Sequence, residues 1–197
     1  MWACIKFFIS QEFRSRSCEC LLDYCQRLLL HNVTASNDIK CLQGLKDSFK
    51  DPNVNFNSWN FSNYSMGFIC KFVGVIYWNN LENRMISLSL PNMNLSVQLP
   101  DAFKCCSSLA TLHLSGNSFS GSIPAELRNC TYLNKLILNN NKLSGNIPPE
   151  ISQLTRLKVL SLANNNLSGN IPPFSGLTDF EYGGNRHLCG GTLAKCG

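Results

Sequence analysis

The chain carries little charge for its length, and that charge is dispersed. Only 15% of its 197 residues are Asp, Glu, Lys or Arg, and the net charge of +5 is spread along the sequence. Nucleic-acid-binding domains need a basic patch or face, so the composition argues against that class. Long hydrophobic runs are missing too. We therefore expect no segment of this chain to span a membrane.

Catalytic and metal-binding signatures are also missing. The sequence contains no G-x-S-x-G, H-E-x-x-H, Walker or G-x-G-x-x-G motif, and its three histidines lie far apart. A C-E-C-x4-C cluster near the N-terminus (Cys18, Cys20 and Cys25) has no clear fourth ligand for zinc. We predict that the chain is not an enzyme and that it binds no metal or cofactor.

What the sequence does contain is a repeat of 24 residues. Its consensus is L-x-x-L-x-L-x-x-N-x-L-S-G-x-I-P, and its four copies are Met85–Pro100, Leu109–Pro124, Leu133–Pro148 and Leu157–Pro172. The length and the L-x-L-x-x-N core are the signature of a leucine-rich repeat. The fold class is therefore an α/β solenoid, a right-handed arc of four stacked repeats that bury one continuous core.

Each repeat predicts one parallel strand. Side chains alternate along a strand, so both leucines of L-x-L point into the core and their neighbours project from the concave side. We expect strands at Ile86–Leu90, Thr111–Leu114, Lys135–Leu138 and Val159–Leu162. The asparagines that end the strands (Asn117, Asn141 and Asn165) have amides able to satisfy backbone groups of the turning chain.

Four regions are expected. They are an unmatched extension (1–35), an N-terminal cap (36–84), the repeats (85–180) and a C-terminal cap (181–197). In the N-terminal cap, Ser36–Lys50 has apolar residues at helical spacing, and Phe68–Trp78 has the composition of a strand. The extension does not match a signal peptide, since its apolar stretches are short and interrupted by charge. A wrong first exon and a degenerate gene copy both remain open hypotheses.

Six N-x-S/T sequons indicate a secreted domain. They are candidate glycosylation sites at Asn32, Asn60, Asn63, Asn94, Asn129 and Asn166. The chain also has 11 cysteines, an odd number, and pairing of those in the caps would suit an oxidising compartment. Among them, Cys106 and Cys130 occupy the same convex position as Leu154 in the repeat, so we predict that both are buried, reduced thiols.

The L-S-G-x-I-P spelling is that of plant extracellular repeats, and residues 38–197 resemble the ectodomains of plant leucine-rich repeat receptor kinases. Within that family the chain looks closest to the BIR class of receptor pseudokinases. The segments that carry the resemblance are Cys41–Pro52, Ser58–Asn63, Gly67–Val75, Trp78–Leu88 and Gly184–Cys196. Most plant caps contain C-x-W-x-G-V-x-C. Here Phe72 replaces the Trp and Tyr77 replaces the second Cys, a pattern typical of the BIR class.

The resemblance also implies disulfides. The BIR class pairs the helix cysteine with the later one, which here implies Cys41–Cys70. A second disulfide, Cys189–Cys196, is predicted in the C-terminal cap. Each would join the two parts of a cap that is too small to have its own core, and closing a ~30-residue loop contributes on the order of 3 kcal/mol.

By resemblance, the function is protein binding in receptor signalling. BIR ectodomains associate with SERK-type co-receptor ectodomains and restrain their pairing with ligand-binding receptors in immunity and growth. The implied location is the outer face of the plasma membrane or the secreted space. The predicted contact is made by concave and lateral residues of repeats two to four, centred on the apolar Ile137 and Val159. These residues are Thr111, His113, Lys135, Ile137, Asn139, Val159 and Ser161.

Two alternatives stay open at this point. One is a stand-alone secreted inhibitor of the polygalacturonase-inhibitor type, which is built from the same repeat spelling. The other is a truncated receptor fragment that does not signal, which the unusual N-terminus and the missing membrane helix favour.

Overall fold

The computed structural model describes residues 37–62, 68–78 and 84–191 of the chain. The N-terminal extension with Cys4, Cys18, Cys20 and Cys25, the sequons at Asn32 and Asn63, and Cys196 lie outside the described residues. In the described part, no helix has the length and apolar character needed to cross a bilayer.

Two sheets and a series of short helices make up the described part of the chain. The helix α1 covers residues 37–48. The strands are β1 (Val75–Tyr77), β2 (Met85–Ser89), β3 (Ser96–Gln98), β4 (Thr111–His113), β5 (Ser118–Gly121), β6 (Lys135–Ile137), β7 (Lys142–Asn146), β8 (Val159–Ser161), β9 (Asn166–Asn170), β10 (Asp179–Glu181) and β11 (His187–Cys189). The 3₁₀ helices are Asn55–Ser58, Phe68–Lys71, Asp101–Cys105, Ala125–Asn129 and Pro149–Gln153.

The first sheet confirms the predicted solenoid. Its order is β1-β2-β4-β6-β8-β10, and β2, β4, β6, β8 and β10 run parallel. Leu88, Leu112, Leu136 and Leu160 lie opposite one another across the strands and are buried. The in-register leucines therefore form the continuous core that the 24-residue period predicts.

The asparagines at the strand ends form a partly buried ladder of hydrogen bonds. The Asn141 amide donates to the carbonyl oxygens of Leu114 (3.0 Å), Leu138 (3.1 Å) and Asn139 (3.3 Å), and its Oδ1 accepts from the Phe119 N–H (3.0 Å). Asn117 and Asn165 make equivalent bonds in the neighbouring repeats. One side chain thus satisfies backbone groups of two repeats, as predicted.

A second sheet follows from the L-S-G segments. Its order is β11-β9-β7-β5-β3, with parallel pairing. Gly145 and Gly169 have φ of 75° and 76°, a left-handed conformation that suits glycine. These strands were not among those predicted, because the L-S-G spelling has no alternating apolar pattern of useful length.

A fifth, shortened turn of the solenoid crosses the predicted boundary between the repeats (85–180) and the C-terminal cap (181–197). Strand β10 pairs with β8 although it begins only 20 residues later. Asn185 takes the ladder position, since its amide donates to the Leu162 carbonyl (3.0 Å) and its Oδ1 accepts from the Leu167 N–H (3.0 Å). This turn was not predicted from the sequence because its spacing differs from 24 residues and Phe180 stands in a leucine position.

The N-terminal cap has its own aromatic cluster. Trp59 is fully buried, its ring lies 5.6 Å from that of Phe72, and its Nε1 donates to the Val73 carbonyl at 3.0 Å. The predicted strand Phe68–Trp78 is only partly correct, because it begins as a 3₁₀ helix and only Val75–Tyr77 pairs, antiparallel, with β2. Phe68, Ile69 and Phe72 fill the cap core, which an extended chain could not do.

The cysteine pairing differs from the prediction. Cys41 is bonded to Cys106, with Cα atoms 5.3 Å apart, so both the Cys41–Cys70 pairing and the reduced state expected for Cys106 are wrong. Cys41 lies on the buried face of α1, which packs on the convex end of the first repeat, whereas Cys70 is an exposed free thiol. The disulfide therefore joins the cap to the repeats.

The other cysteines follow different patterns. Cys130 is a buried free thiol, as predicted, and burial raises its pKa to about 12, with the charge of Asp38 adding to the shift. Cys105 is a half-buried free thiol. Cys189 is disulfide-bonded, and its predicted partner Cys196 lies outside the described residues.

Val54 occupies a strained backbone position. Its φ of 56° and ψ of 36° are left-handed, although it is β-branched, and its side chain is 58% exposed. Asparagine tolerates this conformation, so Val54→Asn is expected to raise the free energy of unfolding by about 1 kcal/mol and Tm by about 2–4 °C. Thermal unfolding checks this. The Val54→Ala variant, which keeps Cβ, is the control and should gain less; equal Tm values for all three proteins would contradict the strain.

Candidate protein-binding surface

The predicted concave residues lie in two adjacent rows of the first sheet. Thr111, Lys135 and Val159 occupy one row, and His113, Ile137 and Ser161 occupy the next. Asn139 follows the end of β6, where its carbonyl accepts from the Gly116 N–H at 3.1 Å. The structure thus brings six of the seven predicted residues into two adjacent rows of the sheet, and Asn139 lies just beyond the end of β6.

The two apolar residues at the centre of the prediction are not directly opposite each other. Ile137 pairs with Ser161, and Val159 pairs with Lys135, so Ile137 and Val159 are diagonal neighbours. Both are half-buried. A further apolar side chain, Ile76, is 58% exposed on β1 opposite Ser87 and extends the first row at its N-terminal end.

Internal hydrogen bonds occupy two of the predicted contact residues. Ser161 is only 5% exposed, and its hydroxyl donates to Glu181 Oε2 at 2.6 Å. Its contribution to the surface is therefore to hold Glu181 in place. His113 lies between the hydroxyls of Ser89 (3.3 Å) and Ser115 (2.6 Å). Burial lowers the pKa of His113, which favours the neutral ring.

A second surface, which we call the lateral column, runs along the edge where the chain enters each strand. It consists of Trp78, Arg84, Tyr132 and Arg156. The Arg84 guanidinium carbon lies 5.9 Å from the Trp78 ring centroid and 6.0 Å from that of Tyr132, and Arg156 lies 4.5 Å from Tyr132. Trp78 is 64% exposed and Tyr132 is 44% exposed.

A small residue allows Arg84 to reach across a repeat. Ser108 occupies the column position between Arg84 and Tyr132, and its hydroxyl accepts from Arg84 Nε at 3.2 Å. The column combines Trp, Tyr and Arg, the residue types that contribute most to protein interfaces. Its two guanidinium groups favour an acidic partner surface.

The lateral column was not among the predicted site residues, although the sequence contains a signal for it. Arg84, Ser108, Tyr132 and Arg156 follow one another at the same 24-residue spacing as the leucines, each just before the first buried apolar residue of its repeat. The predicted contact residues were taken from the strand positions alone, and this position lies before each strand.

The candidate glycosylation sites in the described part of the chain lie at the surface. The sequon asparagines Asn60, Asn94, Asn129 and Asn166 are exposed. Asn60 Oδ1 accepts from the backbone N–H (2.8 Å) and the hydroxyl (2.6 Å) of Ser62. Within the described ranges, no group of three or more His, Cys, Asp or Glu side chains is placed to hold a metal ion.

Comparison with known families supports the architecture. The leucine-rich repeat N-terminal domain family matches residues 35–76, a single leucine-rich repeat matches 108–130, and a family of two repeat copies matches 131–176. Stacked parallel repeats behind a helical cap define a leucine-rich repeat ectodomain.

Individual proteins that are similar to this chain include receptor kinases of the BIR class. The inactive LRR receptor-like serine/threonine-protein kinase BIR2 of Arabidopsis thaliana is 53% identical over 81 residues, 41% of this chain and 13% of that protein. The crystal structure of the BIR2 ectodomain has a TM-score of 0.59 and 41% identity, over 81% of this chain and 98% of that chain. A chain of the Arabidopsis thaliana BIR3–SERK2 complex has a TM-score of 0.59 and 43% identity, over 81% and 99%.

The chain belongs to the plant leucine-rich repeat receptor-like kinase family, with the BIR class among its relatives. It spans nearly all of the BIR2 ectodomain but only a small part of the curated full-length relatives.

Proposed function

We propose that the chain is the non-enzymatic, protein-binding ectodomain of a plant receptor-like (pseudo)kinase. In this role it binds a SERK-type co-receptor ectodomain at the outer face of the plasma membrane and so regulates immune or growth signalling. The observation that carries the proposal is the similarity to the chain of the BIR3–SERK2 complex, 99% of which is covered at 43% identity.

Two surfaces of this chain support a protein partner. The lateral column presents exposed Trp, Tyr and Arg side chains that are already held by stacking, so little side-chain entropy remains to be lost on association. The concave rows add Thr111, Lys135, Ile137 and Val159 beside it. We assign the centre of the contact to the lateral column and its extension to the concave rows.

Titration of a secreted, glycosylated chain with a SERK-type ectodomain tests this assignment. The double variant Tyr132→Ala, Arg156→Ala is expected to weaken binding by about 2–4 kcal/mol, because both side chains are stacked anchors. The double variant Ile137→Asp, Val159→Asp is expected to weaken it by about 1–3 kcal/mol. Neither pair should change Tm greatly, since these side chains fill no core.

Arg128→Ala is the matched control, since Arg128 is an exposed arginine on the convex side, away from both surfaces. Its affinity should equal that of the unmodified chain. Unchanged affinity for the Tyr132, Arg156 variant would remove the lateral column from the interface, and unchanged affinity for the Ile137, Val159 variant would remove the concave rows. Absence of binding by the unmodified chain would overturn the proposed function and favour a fragment that does not signal.

A further inference from the structure

A buried carboxyl group lies at the junction of the N-terminal cap and the first repeat. Asp38, on α1, is 0% exposed, and its Oδ2 accepts from the Met85 N–H at 2.9 Å. Among the described residues no donor is placed with hydrogen-bond geometry at Oδ1, although the hydroxyl and backbone N–H of Ser108 lie close enough to stabilise the ionised form and lower its pKa. A buried carboxylate with one unsatisfied oxygen is unfavourable, whereas the neutral acid removes the charge and gains a donor.

Few ionisable groups face this carboxyl from the elements packed against it. Arg84, immediately before β2, is the cation that acts on Asp38. The Cys130 thiol, after the 3₁₀ helix of the second repeat, stays protonated because burial raises its pKa to about 12. The Cys41–Cys106 disulfide, which begins on the same helix as Asp38, does not titrate. Arg84 is therefore the charged group in the described part of the chain whose environment changes when Asp38 ionises.

Arg84 also belongs to the lateral column. Its guanidinium lies against Trp78 and Tyr132, and its Nε donates to Ser108. An ionised Asp38 offsets part of the positive charge that Arg84 presents at the surface, and a neutral Asp38 leaves that charge intact. The buried acid and the candidate interface thus share one side chain.

We propose that protonation of Asp38 couples pH to the lateral column, so that an acidic surface of the co-receptor binds more tightly in mildly acidic solution than at neutral pH. The proposal rests on the proposed function, because the affinity it changes is that for the co-receptor. Arg84 transmits the change from the cap–repeat junction to the interface.

The direction follows from the ionisation of Asp38. Burial raises the pKa of Asp38 from 3.8 to about 6, against the opposing effects of the Met85 N–H, Ser108 and Arg84. The folded chain therefore binds more protons than the unfolded chain between these two values. The stability that the neutral acid provides is fully present below the unfolded pKa and is lost as pH rises through the folded one.

The first measurement uses the chain alone. Tm is recorded from about pH 4.5 to about pH 7.5, a range that spans the Asp38 ionisation, for the unmodified chain, Asp38→Asn and Asp101→Asn. Asp101 is the matched control because its carboxylate is 69% exposed and pairs with Lys104 on the convex side. The unmodified chain and Asp101→Asn should lose several degrees of Tm across the range, and Asp38→Asn should lose clearly less.

The second measurement is calorimetric titration with a SERK-type ectodomain at both ends of that range. The unmodified chain and Asp101→Asn should bind about three- to tenfold more tightly at the acidic end, the size of one partly screened charge interaction. Asp38→Asn should lose this difference. Arg84→Gln, which keeps the buried acid and removes the charge, should also lose it while its Tm still falls with pH.

The outcomes separate the two proposals. Equal dependence of Tm on pH for the unmodified chain and Asp38→Asn would overturn the titration of Asp38, whatever the partner does. If the Tm profiles of the unmodified chain and Asp38→Asn differ but their affinities depend on pH in the same way, the coupling through Arg84 is overturned. If Asp38→Asn does not fold, Arg84→Gln tests the coupling instead. Loss of the difference in affinity between the two pH values in Arg84→Gln supports the coupling, and an unchanged difference overturns it. Absence of binding at either pH would contradict the proposed function, and with it the coupling, even if Tm shows that Asp38 titrates.

Discussion

Replacing Cys106 with serine is expected to lower the free energy of unfolding by about 4 kcal/mol and Tm by roughly 10 °C. The Cys41–Cys106 disulfide has a sequence separation of 65 residues, so removing it restores a large amount of conformational freedom to the unfolded chain. It also leaves a hydroxyl in a fully buried position. Thermal and denaturant unfolding under non-reducing conditions measure the loss.

Cys70→Ser is the matched control for this experiment. Cys70 is an exposed free thiol, and its replacement should leave Tm unchanged. The pairing implied by the family resemblance, Cys41 with Cys70, requires the opposite pattern. A large loss for Cys70→Ser and none for Cys106→Ser would show that the cap closes on itself instead of on the first repeat.

Asn141→Ala is expected to lower the free energy of unfolding by roughly 3 kcal/mol, because several partly buried backbone groups lose their partner together. The carbonyl oxygens of Leu114 and Leu138 and the N–H of Phe119 belong to two successive repeats. A deletion in the middle of the ladder therefore weakens the interface between neighbours, on which a solenoid depends. Denaturant unfolding gives the value.

Two further variants are compared with Asn141→Ala: a control near the surface, and a variant that replaces only the donor half of the Asn141 amide. Asn134→Ala removes one bond near the surface, from Asn134 Nδ2 to the Arg156 carbonyl (3.1 Å), and should lose less than about 1 kcal/mol. Asn141→Asp keeps the acceptor for Phe119 but sets a carboxylate against carbonyl oxygens. It should be at least as unstable as Asn141→Ala at neutral pH and recover partly in acid. A loss for Asn141→Ala no larger than for Asn134→Ala would contradict the role of the ladder.

The periodic features of this protein could be predicted from its sequence. Leu112, Leu136 and Leu160 recur at a fixed spacing because each must fill the same place in a stacked core, and Asn117, Asn141 and Asn165 recur because each turn leaves the same backbone groups unpaired. A requirement that repeats in space is visible as a requirement that repeats in sequence.

Features that occur once could not be predicted in the same way. The partner of Cys41 depends on how α1 packs against the convex end of the first repeat, and nothing in the sequence near Cys70 or Cys106 encodes that distance. In the shortened turn at β10, Asn185 makes the hydrogen bonds of a ladder asparagine although it does not follow the 24-residue spacing. At the candidate site, the concave residues could be predicted from the alternation of side chains along the strands. The contact between Arg84 and Tyr132 could not, because it depends on the small side chain of Ser108 that lies between them.

The position of the disulfide also affects how the protein matures. During synthesis, Cys41 and Cys70 are both present in the chain before Cys106 is added. The loop between Cys41 and Cys70 is also shorter than that between Cys41 and Cys106, so it closes at a smaller entropic cost. An oxidising compartment therefore offers Cys41 the wrong partner first. If Cys41 and Cys70 do pair first, reaching the observed Cys41–Cys106 bond requires thiol–disulfide exchange once the first repeat has folded against the helix. The yield of correctly paired protein should depend on how long the newly made cap stays reduced.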